Sequence, residues 1–141
     1  MADTNEMNEA TREFIGQNYI SLTPERIKEY HDRGADLNVL WKDGSTLLQK
    51  LCHMGQGDIE FLGILEKIKS LMENGADPNV KDETGWSTLD YVFDSGETGV
   101  VEKLKLLAPY LNEESLDKLK ETHPAAAKLI EGYKTEDKAE Q

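Results

Sequence analysis

Cys52 and His53 are adjacent in the sequence, and together they come closest to a nucleophile with its base. A cysteine nucleophile works as a thiolate beside an imidazole that accepts its proton. Both residues follow a predicted helix start, and neighbouring side chains on a helix point about 100° apart, so they do not face each other. We therefore interpret Cys52 as a small buried apolar residue. An enzyme that uses Cys52 and His53 is kept as the alternative.

The spacing of histidines and glycines predicts no further site. His31, His53 and His123 are scattered, and with a single cysteine they do not form the paired spacing that holds zinc. The stretch Gly55-Gln56-Gly57 lacks the third glycine and the preceding strand of a dinucleotide-binding loop. We therefore expect no metal and no cofactor.

Acidic residues dominate the charge of the chain. It carries 28 acidic and 16 basic side chains, for a formal net charge of −12. Such a charge repels phosphate backbones, so nucleic acid is not an expected partner. It keeps a protein soluble, and it also speeds the approach of a basic partner protein. The pairs Asp82-Glu83 and Glu113-Glu114 lack an apolar setting, so we expect them to be solvated turn and first-turn residues.

Cysteine usage and hydropathy favour a cytoplasmic protein. Cys52 is the only cysteine, which excludes an intrachain disulfide and fits a reducing compartment. No apolar run follows Met1, so neither a signal peptide nor a membrane span is expected. The hydrophobic fraction of 38% is enough for a folded core.

Two sequence signals recur with one spacing. Residues 34–38 read Gly-Ala-Asp-Leu-Asn, and residues 75–79 read Gly-Ala-Asp-Pro-Asn, 41 positions later. Residues 44–48 and 85–89 each begin with glycine, contain a threonine and end in leucine, again 41 positions apart. Two independent markers in one register indicate an internal repeat.

Each marker predicts a helix boundary. A glycine after an apolar helical stretch takes the left-handed conformation that ends a helix, so helices are expected to end at Gly34 and Gly75. Helices are expected to begin at two pairs with the spacing of a capping box, in which side chains satisfy the free amides of the first turn: Thr46 with Gln49, and Ser87 with Asp90. The polar residues between each helix end and the next start suit a β-turn or hairpin.

Two segments resemble the ankyrin repeat family: residues 74–89, and nearly as well residues 33–48. In each segment the end of a helix is followed by Gly-Ala-Asp-x-Asn, then by a turn, and then by the capped start of the next helix. The family's Thr-Pro-Leu-His is replaced by residues 46–49 and 87–90, in which Gln49 and Asp90 supply the capping. The family period is about 33 residues, so the observed 41 implies an insertion, which we place near residues 55–65.

The resemblance implies an all-α chain, an ankyrin-repeat-like α-solenoid of about four antiparallel helix pairs with short β-turn or hairpin connections. One domain is expected over residues 6–133, between a disordered N-terminus (1–5) and a disordered tail (134–141). Within it we expect an N-terminal capping pair (6–34), two repeats (35–75 and 76–108) and a C-terminal capping pair (109–133).

The resemblance also implies where a partner protein would bind, because ankyrin repeats use hairpin tips and the exposed side of inner helices. The tip residues at these positions are Lys42, Asp43, Ser45, Glu83, Thr84 and Trp86. The inner-helix residues at these positions are Lys50, His53, Met54, Tyr91, Asp94 and Ser95. Trp86 stands out because aromatic residues dominate binding energy at interfaces, although packing against the neighbouring hairpin is an equal alternative. Trp41 has the same two interpretations.

These features predict a non-enzymatic interaction module that is a monomer when free and binds another protein, with no role for nucleic acid or membrane. The acidic charge favours a basic partner. Small bacterial ankyrin-like immunity proteins, which inhibit a toxin or nuclease, suit the charge of −12. A secreted effector that binds a host protein is the alternative within the same class.

Overall fold

The computed structural model describes residues 7–54, 61–95 and 99–140, and it describes no side chains at 61–62 and 133–140. Within these residues the chain is all-helical, with eight α-helices and no strand. The only strand-like pairing among them is one antiparallel bridge between Lys81 and Ser87. The helices are α1 Glu9–Ile15, α2 Pro24–Asp32, α3 Leu47–His53, α4 Phe61–Glu73, α5 Thr88–Asp94, α6 Val100–Leu107, α7 Glu113–Thr122 and α8 Pro124–Glu140.

Both predicted capping boxes are present. The Gln49 backbone N–H donates to Thr46 Oγ1 (3.1 Å), and the Thr46 N–H donates to Gln49 Oε1 (2.8 Å). Ser87 and Asp90 make the same reciprocal pair at the start of α5. Because four amides at a helix N-terminus have no partner within the helix, these side chains fix where α3 and α5 begin.

The two predicted helix ends are also confirmed. Gly34 has φ +92° and Gly75 has φ +96°, in the left-handed region that glycine tolerates. Beyond each glycine the chain turns back on the helix, with the Ala35 N–H donating to Tyr30 O (2.9 Å) and the Ala76 N–H to Leu71 O (2.9 Å). These bonds satisfy carbonyls that the helix end leaves free.

The helices pack in pairs, and the pairs pack on one another. The pairs are α1 with α2, α3 with α4, α5 with α6, and α7 with α8. Between pairs, α2 contacts α4, α4 contacts α6 and α6 contacts α8, while α3 contacts α5. The core is continuous across these contacts and contains aliphatic side chains from α2 to α8.

An aromatic cluster closes the N-terminal end of this core. The Phe14 ring lies 5.4 Å from the Tyr30 ring and 5.3 Å from the Trp41 ring, and the Tyr19 ring lies 6.4 Å from the Trp41 ring. Trp41 is only 7% exposed. Of the two interpretations of Trp41, packing is therefore the one that the structure shows.

Side-chain hydrogen bonds to backbone amides join α1 to the turn after Gly34, that turn to the one after Gly75, and the latter to the start of α7. Each bond contributes about 1 kcal/mol net, and together they fix each turn against the next. In chain order, Thr11 Oγ1 accepts from the Asp36 N–H (2.9 Å), Asn38 Oδ1 from the Asp77 N–H (2.7 Å) and Asn79 Oδ1 from the Asn112 N–H (2.9 Å).

Lys103 on α6 is fully buried. Its Nζ donates to the carbonyl oxygens of Cys52 (2.9 Å) and Met54 (2.6 Å) and to Ser95 Oγ (3.0 Å). The two carbonyls belong to the C-terminus of α3, where a cation is favoured by the helix dipole. Lys103 thus fixes the ends of α3 and α5 from the neighbouring layer.

Two predicted boundaries are not settled by the described residues. Helix α8 extends to Glu140, through residues where the sequence predicts a disordered tail; Lys, Glu and Ala are good helix formers there. Residues 1–5, and residues 55–60 of the predicted insertion, lie outside the described residues. None of the described helices has the length and apolar character needed to span a bilayer.

Candidate functional site

Two tight turns of the same construction lie side by side: turn 1 (Trp41–Ser45) and turn 2 (Asp82–Trp86). In turn 1 the Trp41 N–H donates to Ser45 O (2.8 Å), and in turn 2 the Asp82 N–H donates to Trp86 O (2.8 Å). The Glu83 N–H donates to Gly44 O (3.0 Å), so the turns are bonded directly to each other. The predicted tip residues therefore form one continuous edge.

The carboxylate of Asp82 organises turn 2. Asp82 Oδ1 accepts from the Thr84 N–H (2.8 Å), Thr84 Oγ1 (2.6 Å) and the Trp86 N–H (3.0 Å), and Oδ2 accepts from the Tyr91 hydroxyl on α5. Asp82 is only 8% exposed, so the prediction that Asp82 is a solvated turn residue is wrong. The turn closes over its carboxylate because four donors converge on it.

These bonds set the ionisation of both partners. Burial alone would raise the pKa of Asp82, but the hydrogen bonds from Thr84, Tyr91 and Trp86 outweigh it and lower the pKa to about 2. The bond to Asp82, with burial, raises the pKa of Tyr91 to about 12. At neutral pH the pair is a carboxylate bonded to a neutral phenol.

Three rings form a row across turn 2 and the inner helices, which we call the aromatic row: Trp86, Tyr91 and His53. The Trp86 and Tyr91 ring centroids are 5.1 Å apart with the planes at 60°, and those of Tyr91 and His53 are 5.3 Å apart at 71°. Trp86 is 41% exposed. The row thus presents a large aromatic surface to solvent on a rigid base.

A hydrogen-bonded pair and an ion pair border the aromatic row. His53 Nε2 lies 2.7 Å from Asp94 Oδ2, which links α3 to α5. Lys50 Nζ bonds Asp43 Oδ2, and Asp43 Oδ1 accepts from the Ser45 N–H (3.1 Å) and Ser45 Oγ (2.9 Å). Burial raises the pKa of Asp43, but the bonds from Lys50 and Ser45 lower it overall.

The structure brings most of the predicted binding residues together. One open groove between the turns and the inner helices is lined by Tyr19, Asp43, Ser45, Lys50, His53, Met54 and Tyr91. Two further predicted residues lie next to side chains that line the groove: Trp86 contacts Tyr91, and Asp94 bonds His53. Lys42 is exposed at the tip of turn 1, and Glu83 lies against Gly44.

Two predicted tip residues have internal roles. Ser45 is buried, because its hydroxyl and amide are both held by Asp43. Thr84 is exposed at the tip, but its hydroxyl and amide are bonded to Asp82. We therefore assign Ser45 to turn stability rather than to direct contact with a partner.

Sequence reasoning missed Asp82 and Tyr19 as parts of this site. The signal for Asp82 was its spacing to Thr84, since an Asp followed two residues later by Thr suits an Asx turn. Nothing local marks Tyr19, which reaches the groove through tertiary packing on Trp41.

Cys52 and His53 do not form a nucleophile and base pair in this arrangement. Cys52 is fully buried, and burial raises the pKa of its thiol to about 12 despite the nearby charge of Lys103. His53 faces solvent and bonds Asp94. Among residues 7–54, 61–95 and 99–140, no three His, Cys, Asp or Glu side chains are grouped to hold a metal ion.

The chain was compared with protein family models, with curated proteins and with solved structures, and none of the three comparisons finds a match. Function is therefore inferred from the geometry of the turns, the groove and the aromatic row.

Proposed function

We propose that this chain is a non-enzymatic, ankyrin-type interaction module whose groove and turn tips bind one partner protein and thereby inhibit or mask it. The observation that carries the proposal is the exposure of Trp86 beside Tyr91 and His53 on the aromatic row. Exposed aromatic rings on a rigid base bind protein partners with little loss of conformational entropy.

Support for the ankyrin-type arrangement comes from two repeated features. Turns 1 and 2 have the same backbone bonds at positions 41 residues apart. The bonds from Asn38 to Asp77 and from Asn79 to Asn112 then join successive turns in the same way. Stacking of this kind builds a continuous edge and groove, which is the surface that solenoid proteins use for binding.

Support for a contact role of Trp86 comes from its surroundings. The position 41 residues earlier holds Ser45, which is small, buried and bonded within turn 1. Trp86 is large and exposed at the corresponding place, while the other tryptophan, Trp41, is in the core. An interface aromatic with a polar rim is the usual composition of a binding hot spot.

The net charge suggests the chemistry of the partner. A chain of charge −12 approaches a basic protein faster than a neutral one, and a basic toxin or nuclease is a partner of that kind. Inhibition by masking needs no domain beyond the binding surface. We place this activity in the cytoplasm, because a single cysteine suits a reducing compartment.

Capture of partners from lysate of the source organism tests this proposal. Three baits are compared. They are the wild-type chain, a Trp86→Ala/His53→Ala variant of the aromatic row, and a Tyr110→Ala/His31→Ala control that changes exposed residues outside the row. We expect a protein that binds the wild type and the control and is lost from the row variant. Equal recovery of every bound protein by all three baits would refute the groove as the binding site.

A further inference from the structure

Lys50 shows how a cation is held in the first repeat. Its Nζ lies 5.4 Å from the centroid of the Tyr19 ring and 5.7 Å from that of the Trp41 ring, and it bonds the Asp43 carboxylate. Only 9% of the Lys50 side chain is exposed. Two aromatic rings and one carboxylate therefore surround an ammonium group that the chain supplies itself.

The second repeat also brings two rings and a carboxylate together, but a tyrosine takes the position of the lysine. The residue 41 positions after Lys50 is Tyr91, whose hydroxyl bonds the Asp82 carboxylate of turn 2. Trp86 supplies the second ring, at 5.1 Å from Tyr91. Among the residues that the structure describes, the cations that lie over rings face Tyr19, Tyr30 and Trp41, and none lies over Trp86 or Tyr91.

The charges around the two rings are mainly negative. Asp43, Asp82 and Asp90 all lie close enough to Tyr91 to disfavour its ionisation. Glu83 is exposed at the tip of the same turn. Among the lysines nearby, Lys50 bonds Asp43 and Lys118 lies 3.6 Å from Asp90, while Lys42 is exposed at the tip of turn 1. The two rings thus lie in a negative field with an open face.

We propose that an arginine side chain of the partner protein lies on the Trp86 and Tyr91 rings, with aromatic rings and acidic side chains around it of the kind that surround the Lys50 ammonium in the first repeat. Arginine fits this place because its planar guanidinium stacks on aromatic rings and is weakly hydrated. This inference rests on the proposed function and names the group by which the partner is recognised.

Titration with a matched pair of peptides tests the proposal on the intact chain. The probes are a capped glycine-serine peptide with three arginines and the same peptide with three citrullines, which have nearly the same shape without the charge. Binding is followed by the Trp86 indole N–H and the Gly85 amide in proton–nitrogen NMR spectra, at about 0.15 M salt to screen long-range attraction. We expect the arginine peptide to shift both signals and the citrulline peptide to bind at least about fivefold more weakly.

Two variants test whether the arginine peptide binds the two rings or only the acidic surface in general. Trp86→Ala removes a ring without changing the charge. We expect it to weaken binding of the arginine peptide about fivefold, as followed by the Gly85 amide signal. Tyr110→Ala removes an exposed ring outside the row and is expected to leave binding unchanged.

Equal binding of both peptides, shifts confined to other surfaces, or equal effects of the two variants would each overturn the arginine assignment. If partner capture still depends on the aromatic row in that case, the proposed function stands and only the recognised group is wrong.

Discussion

Replacing Asp82 by Asn tests the account of turn 2 most directly. The change keeps the size of the side chain but replaces the charged carboxylate, which accepts hydrogen bonds from Thr84, Trp86 and Tyr91, by a neutral amide. The pKa of Asp82 is lowered from its usual 3.8 to about 2. A difference of that size corresponds to about 2 kcal/mol of folding free energy at neutral pH.

The sign of the pH dependence follows from the lowered pKa. The folded chain holds Asp82 ionised more strongly than the unfolded chain does, so the contribution is fully present above about pH 4. It is lost as pH falls through about 2, and about half is lost by pH 3. Asp82→Asn should therefore be less stable than the wild type by about 2 kcal/mol at pH 7, and the gap should narrow below pH 4.

Urea unfolding of both proteins between pH 7 and pH 2.5, followed by far-UV circular dichroism, measures this gap. Other carboxylates titrate in the same range, but they cancel in the difference between the two proteins. Asp117→Asn on the exposed face of α7 is the matched control, expected to change stability by less than about 0.5 kcal/mol. Two results would refute the reasoning. One is a stability difference at pH 7 between Asp82→Asn and wild type that is no larger than the difference between Asp117→Asn and wild type. The other is a stability difference for Asp82→Asn that does not decrease in acid.

Three further changes test the helix ends and the buried lysine, each by urea unfolding at pH 7. Gly75→Ala should cost about 1 kcal/mol, because φ is +96° and the added methyl meets no atom within 4 Å, so the cost is backbone strain alone. Thr46→Ala should cost about 1 kcal/mol through loss of the α3 cap. Lys103→Met should cost at least about 2 kcal/mol, because the carbonyls of Cys52 and Met54 lose their buried donor.

Controls for these three changes come from the same chain. Gly16→Ala, at φ −83° with only ordinary contacts, should be neutral or slightly stabilising, so an equal loss at Gly16 and Gly75 would contradict the strain argument. Thr122→Ala changes an exposed helix-end threonine and should cost less than Thr46→Ala. A Lys103→Met protein as stable as the wild type would contradict the assigned role of Lys103 as a stabilising donor.

Helix boundaries were predictable because their causes are local. Gly34 and Gly75 end helices through their own backbone conformation, and Thr46 and Ser87 begin them through side chains within three residues. Such signals need no knowledge of the rest of the molecule.

The interior of the site was less predictable because its causes are tertiary. Asp82 is buried by the closure of turn 2 and by Tyr91, nine residues away. Lys103 looks like a surface residue of an amphipathic helix, yet its acceptors at Cys52 and Met54 lie 51 and 49 positions earlier. Charged residues are expected at the surface. Asp82 and Lys103 are buried because of tertiary contacts, and sequence spacing does not reveal those contacts.

Lys103 couples the two helices that carry the His53 and Tyr91 rings. Its ammonium group bonds Met54, which follows α3, and Ser95, which follows α5. Lys103 itself does not line the groove. The spacing of the His53 and Tyr91 rings therefore depends on a buried side chain in the neighbouring layer, which no partner in the groove would touch.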